Sequence, residues 1–289
     1  MTSTKPRTTL RSDRSSNDAH VASPEYLTVR SGRVKHARRL ATRAFRDKHG
    51  EFLAEGPQTV REALSCDDVT LEIFATQEGT AQHPDIAALA RDANVDWNFV
   101  GDTVLTEIAD TVNPQGMVAR CLKLISRLDD VLSVSPSLLV ICADIRDPGN
   151  AGTIIRSADA AGADGVVFTG TSVDPFNPKS VRASVGSIFH IPLIIEPNVE
   201  AAIDRTKKAG LSVLAADSTG DVDLFDADEV LAHRSAWLMG NEAWGLPDEI
   251  RRQCDRVVAI PIFGRAESLN LATAAAVCLY ASARAQRSR

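Results

Sequence analysis

The chain has 289 residues, 44% of them hydrophobic, and carries 32 basic and 38 acidic side chains for a formal net charge of −6. That length fits about two average domains, and the apolar content is ordinary for a protein that buries full cores. The acidic balance excludes a uniformly basic nucleic-acid binder, and no apolar run approaches the ~20 residues of a membrane-spanning helix.

The N-terminus, Met1 to Ser23, is polar and rich in Ser, Thr and Arg, a composition that predicts disorder. It has no apolar segment suited to a secretory signal, so a cytoplasmic location is expected. Residues 1–50 hold 12 basic and 4 acidic residues, a balance of +8, which leaves −14 on the remaining 239. A basic front on an acidic body points to contact with a polyanion, and a solvated tail plus one basic helix face explains it equally well. From Ser31 to Lys48, Val34, Ala37, Leu40, Ala41, Ala44 and Phe45 have helical spacing, with Arg33, Arg38, Arg39 and Arg43 among the basic residues between them.

After this basic helix come a strand (Glu51 to Ala54), a helix from Pro57, a strand (Thr70 to Ala75), a helix (Pro84 to Ala93) and a strand (Asp96 to Val100). The alternation predicts a small α/β domain over residues 24–120. Residues 121–137, with Ser133, Ser135, Pro136 and Ser137, read as a linker. Residues 138–289 then carry a second α/β series. Strands are predicted at Leu138 to Ala143, Gly165 to Thr169, Ile188 to Ile195, Ser212 to Ala216, Ala236 to Met239 and Arg256 to Ile260. Helices are predicted at Ala151 to Ala161, Lys179 to Val185, Asn198 to Ala209, Pro247 to Gln253 and Glu267 to Ala283. This pattern predicts a mainly parallel sheet covered on both faces.

Three polar stretches follow predicted strands, where ligands bind in open α/β sheets. The first, Asp144 to Arg156, places Asn150 at an apparent helix N-cap and Arg156 on the helix it opens. The second, Gly240 to Gly245, holds Glu242 between two glycines that permit a tight turn or a close ligand approach. The third runs from Ile260 and Pro261 to Ser268, Leu269 and Asn270 at the start of a long helix, where backbone N–H groups are free. Capping or solvation explains each stretch taken alone. The five cysteines, Cys66, Cys121, Cys142, Cys254 and Cys278, form no Cys-x-x-Cys pair and read as buried thiols, and no metal-ligand cluster is legible.

In this order and spacing the stretches resemble the SpoU/TrmH branch of the SPOUT RNA methyltransferases, over roughly Leu138 to Ala283. Asn150, Gly152 and Arg156 match its first motif, Gly240, Glu242 and Gly245 its second, and Ile260, Pro261, Ser268, Leu269 and Asn270 its third. The segment Lys179 to Ser187 is similar to the family's RNA-facing segment, and Phe52 to Gly56 more loosely to its ribosomal-protein-like RNA-binding domain. The resemblance implies a C-terminal trefoil-knotted domain that binds S-adenosylmethionine and is completed by a homodimer. It implies cofactor contacts at Ala215, Ala216, Gly240, Ile260 and Leu269, and a catalytic group of Arg156, Asn150, Glu242, Ser268 and Asn270. RNA contacts are expected from Arg33, Arg38, Arg39, Arg43, Lys179 and Arg182.

The implied reaction is methylation of a ribose 2′-hydroxyl in structured RNA, 23S ribosomal RNA first and transfer RNA as the alternative, without a metal. An arginine is always charged, so Arg156 can act as a base or only electrostatically. A non-catalytic ribosome-assembly protein of the same fold is a second reading, disfavoured by the intact polar set. A nucleotide-binding enzyme on an ordinary doubly wound sheet is a third, and Asp147-Pro148-Gly149-Asn150 makes a poor phosphate loop for it.

Overall fold

A computed structural model describes residues 26–288, so the tail from Met1 to Ser23 lies outside the described residues. The first part of the chain runs α1 (Gly32–Arg39), α2 (Arg43–His49), β1 (Glu51–Glu55), α3 (Pro57–Leu64), β2 (Thr70–Ala75), α4 (Gln77–Gln82), α5 (Pro84–Asp92), β3 (Asp96–Phe99), α6 (Asp102–Ile108) and β4 (Met117–Leu122). Its sheet has the order β1-β4-β2-β3, with β4 antiparallel to both neighbours and β2 parallel to β3. Central β4 has no counterpart among the expected strands and carries the first sheet past the expected domain end at residue 120. Met117, Val118, Ala119 and Cys121 are all fully buried. A strand covered on both faces lacks the period-two alternation that announces one.

The predicted single basic helix is two helices, broken at Leu40-Ala41-Thr42. Arg46 satisfies the break: its Nη1 donates to the carbonyl oxygens of Leu40 and Ala41, each at 2.9 Å. The same guanidinium pairs with Asp174 of the second part through Nε at 2.8 Å and Nη2 at 2.7 Å. These two side chains are only 2% and 4% exposed. One residue of the supposed basic face is therefore a buried latch between the two parts.

The second part runs α7 (Leu128–Ser133), β5 (Leu138–Ala143), α8 (Pro148–Ala161), β6 (Gly165–Thr169), α9 (Pro178–Ser184), β7 (Leu193–Glu196), α10 (Val199–Lys208), β8 (Ser212–Ala216), β9 (Val222–Asp223), α11 (Asp228–Leu231), β10 (Ser235–Met239), α12 (Asp248–Arg251), β11 (Arg256–Ala259) and α13 (Leu271–Arg287). The sheet order is β7-β6-β5-β10-β8-β11-β9 and every pairing is parallel. Alternate residues of β5 enter two cores. Leu138, Val140 and Cys142 pack with Ile154 of α8 and Leu279 of α13, while Leu139 and Ile141 pack with Leu128 of α7 and Ile203 of α10. Trp237 is fully buried and its indole N–H donates to Ser282 Oγ at 2.9 Å, which ties α13 to β10.

Three further expectations need adjustment. Residues of the expected linker form α7 and bury Leu128 and Val131. The strand predicted at Ile188 to Ile195 starts only at Leu193, after a 3-10 turn at Ser187–Phe189 and after Pro192, which has no N–H for a ladder. The helix predicted from Glu267 starts at Leu271 because Asn270 caps it. From β5 the chain lays β6 and β7 on one side and then crosses back to build β8 to β11 on the other, which creates a switch point beside β5.

Candidate active site

Parallel register brings the carboxyl ends of β5, β10, β8 and β11 to one edge: Cys142 is opposite Met239, Leu238 opposite Ala215, and Val258 opposite Ala216. Loops that follow adjacent strands are thereby held a few ångströms apart. Glu242, after β10, accepts from the backbone N–H groups of Arg146 and Asp147 at 3.0 Å each and from Asn150 Nδ2 at 3.1 Å. Asn150 Oδ1 accepts from Asn270 Nδ2 at 3.0 Å, and Asn270 Oδ1 accepts from the N–H groups of Ala272 and Thr273. One hydrogen-bonded chain thus joins all three motifs. Burial opposes ionisation of Glu242, but the N–H groups of Asp147 and Arg146 and the Asn150 amide outweigh it and hold the carboxyl below its usual range.

The helix cap is Asp147, not Asn150. Its Oδ1 accepts from the Asn150 N–H at 2.9 Å, and Pro148 occupies the first helical position, where no donor is needed. That Asp-Pro signature was present in the sequence. The ammonium of Lys179, 2.9 Å from Asp147 Oδ2, lowers the Asp147 pKa, and the Asn150 N–H adds to the effect. Asn150 is left free to link Glu242 to Asn270.

Gly240 is required by a close approach: a Cβ there would lie 2.5 Å from the Gly245 carbonyl carbon. Asn241 and Gly245 exchange backbone hydrogen bonds of 3.0 and 2.9 Å, and Gly245 adopts φ +67°. Asn241 also donates from Nδ2 to the Asp144 carbonyl at 2.6 Å. This buried residue fills the unspecified position of Gly-x-Glu, so no motif singled it out. Gly152 serves packing: a Cβ would lie 2.2 Å from the Ser180 carbonyl oxygen, where α8 crosses α9.

A cavity of about 410 Å³ opens at these strand ends, lined by Ala216, Gly240, Trp244, Ile260, Ser268 and Leu269 among others. Its size falls within the roughly 300–1,000 Å³ of small-molecule sites. Four of the five predicted cofactor residues line it. Ala215 does not, because it is fully buried and packs into the core under α10. Among the described residues, the backbone N–H groups from Ile262 to Leu271 have no backbone acceptor. A cleft of mixed lining, with Ala216, Ile260 and Leu269 as its apolar part and free donors at its edge, suits a purine nucleoside, the apolar part facing the base and the N–H groups its polar edge. Asp217, missed in the sequence, also lines the cavity. Burial opposes its ionisation, but the Thr219 hydroxyl and N–H and the Arg251 guanidinium outweigh it and lower the pKa.

Arg156 is exposed on α8 and does not line the cavity. The arginines assigned to RNA are largely engaged within the chain. Arg33 pairs with Asp96 at 3.0 Å, Arg38 with Glu107 at 2.7 Å and Arg43 with Asp47 at 3.6 Å, and Arg39 lies over the Phe45 ring at 4.1 Å. Arg182 joins the two parts of the molecule, 3.0 Å from Glu55 and 3.2 Å from Asp110. Acidic partners from distant segments engage Arg33, Arg38 and Arg182, which local sequence could not reveal, whereas Arg43 and Asp47 are an i,i+4 pair within α2. Among the described residues no helix is long and apolar enough to cross a membrane.

Residues 137–280 match the model of the SpoU rRNA Methylase family, and residues 32–119 match an MRM3-like substrate binding domain. A 23S rRNA (guanosine(2553)-2′-O)-methyltransferase, RlmP, of Bacillus subtilis is 31% identical over 253 residues, covering 88% of this chain and 96% of the relative. A solved AdoMet-bound rRNA methyltransferase from Sinorhizobium meliloti superposes with a TM-score of 0.77 at 34% identity, over 89% of this chain and 96% of that one. The SpoU methyltransferase AviRb from Streptomyces viridochromogenes, in complex with AdoMet, gives 0.77 at 31% identity, over 90% and 100% of the two chains. With its parallel sheet, its three joined motifs and a full-length relative, this chain belongs to the SpoU rRNA methylase family.

Proposed function

We infer that this chain is an S-adenosylmethionine-dependent methyltransferase acting on a ribose 2′-hydroxyl of 23S ribosomal RNA. The carrying observation is the hydrogen-bonded chain Glu242–Asn150–Asn270 at the rim of a nucleoside-sized cavity. Ala216, Gly240, Ile260 and Leu269 form the wall against the adenosine part of the cofactor, and the free N–H groups of residues 262–269 bind its polar edges. The cofactor supplies a methyl group already activated by a positive sulfur.

A ribose hydroxyl is a poor nucleophile, so the protein must place it in line and stabilise charge developing on its oxygen. Arg156 supplies that positive charge. Exposed on α8 outside the cavity, it would meet the RNA side of the site and offset charge on the ribose oxygen while the methyl's bond to sulfur is exchanged for one to oxygen, the sulfur leaving as a neutral thioether and the hydroxyl proton passing to an RNA phosphate or to water. Glu242, with both carboxylate oxygens engaged by N–H groups, positions the loop that carries Gly240 and does not act as the base. Ser268 is exposed at the cavity and is assigned to the RNA.

A trefoil knot in the C-terminal segment and a homodimer belong to the same reading. The placement of β11 between β8 and β9 and of α13 against α8 supports the knot. The stacked pair Phe225 and Phe263, with ring centroids 6.2 Å apart and the second ring 86% exposed, offers an apolar face to a second copy. The N-terminal domain and Lys179 hold structured RNA through its backbone.

The test is transfer of labelled methyl from S-adenosylmethionine to ribosomal and transfer RNA from cells lacking this protein, with Arg156→Ala alongside. The reading requires 2′-O-methylnucleoside from 23S RNA with the wild type and none with the variant. Label only in transfer RNA would reassign the substrate. Cofactor binding with no label on free RNA or ribosomal particles would favour the non-catalytic assembly reading.

A further inference from the structure

We propose that His36, His49 and Glu51 of the N-terminal domain bind one divalent transition-metal ion, zinc foremost. His36 comes from α1, His49 ends α2 and Glu51 begins β1. One ligand atom from each lies within 4.8 Å of the other two, and His36 Nε2 is 2.7 Å from Glu51 Oε2. Gly50 in the left-handed region, φ +66°, turns the chain between His49 and Glu51 and brings both toward α1.

Two imidazoles and a carboxylate are ligands that zinc takes in sites with an open fourth position. Ligand atoms of a tetrahedral zinc stand about 3.4 Å apart, so His36 Nε2 and Glu51 Oε2 must part slightly from 2.7 Å while the His49 nitrogen closes by at most about 1.4 Å. Exposed His49 can provide that movement by side-chain rotation.

The surroundings resemble a supported metal site. Phe45 lies against both rings, with centroids 5.1 Å from His36 and 4.2 Å from His49. Glu51 is held by Arg120 Nη1 at 2.9 Å, and Arg120 Nε is held by Glu72 at 2.7 Å, so the ligating carboxylate has its own anchor. The Arg120 charge is offset, since Glu51 and Glu72 both face it and Arg33 is itself paired with Glu72 and Asp96. A bound dication would tie α1 and α2 to the first strand. It would also add positive charge near Arg39, whose guanidinium lies over the Phe45 ring. The inference does not depend on the methyl-transfer reading.

Full-length protein stripped with chelator is titrated with Zn²⁺ against a chromophoric competitor, and Co²⁺ is added separately to read d–d absorption. The expected result is one ion per chain, with cobalt bands of a nitrogen- and oxygen-ligated site. His49→Ala and Glu51→Gln should each weaken binding by at least about tenfold. His49 is exposed, so its variant keeps the fold, checked by circular dichroism. Cys66→Ser and Cys254→Ser, which remove the half-buried thiols, should leave binding unchanged. No stoichiometric binding, binding indifferent to His49→Ala, or binding lost with the thiols would each overturn the proposal.

Discussion

The two sheets use their charged side chains in different ways. In the first, Arg33, Arg38 and Arg43 sit on exposed helices, each beside an acid of its own domain. At the strand ends of the second, Glu242 holds no cation and instead gathers two backbone N–H groups and an amide. Exposed ion pairs contribute little and exchange readily for a phosphate. A carboxylate saturated by N–H groups fixes a loop and does not exchange. The exposed pairs of the first domain are therefore salt-sensitive, and the Glu242 clamp of the second holds one loop in place.

The strongest challenge to that division is Arg46, a cation of the first domain that is buried. Arg46→Ala strands the Asp174 carboxylate and should cost about 3–5 kcal/mol in a denaturant titration. Joint replacement as Arg46→Met with Asp174→Leu should recover much of the loss. Arg156→Ala tests the other domain. Methyl transfer should fall about 10²–10³-fold while calorimetric cofactor binding is kept.

Gly152→Ala, remote from solvent and charge, should cost about 1–3 kcal/mol by forcing α8 from α9, visible as a lower denaturant midpoint. Acid titration sharpens the role of Glu242. Its folded pKa is depressed, so its stabilisation is present above the unfolded value of about 4.3 and is lost as pH falls through the folded value. Glu242→Gln should flatten that acid limb in thermal melts, and an unchanged limb would remove the clamp. The smallest effect is expected from Arg33, Arg38, Arg39 and Arg43 changed together to Ala. RNA affinity at low salt should fall, with a shallower salt slope; no fall would end their docking role.

Much of the second domain was legible because buried parallel strands are apolar runs and their polar ends stand out. The termini of its elements were less so: Asp147 rather than Asn150 caps α8, and Asn270 delays α13. In the first domain β4 carried no periodic signal. The grouping of His36, His49 and Glu51 depends on how α1 folds back on β1, which spacing along the chain does not encode.

Read alone, the sequence determined the α/β class, the basic front, the three motifs and the family they resemble, since each rests on local periodicity or on residues a few positions apart. Only the tertiary structure decided that Glu242 is a clamp, that Ala215 is core, that Arg46 is a latch and that Arg182 joins the two parts. For the three charged residues the deciding partner is distant along the chain: Arg46 and Asp174 are 128 residues apart, Arg182 and Glu55 127, Glu242 and Asn150 92. Pairing across such separations follows from sheet order and helix packing, which are properties of the whole fold.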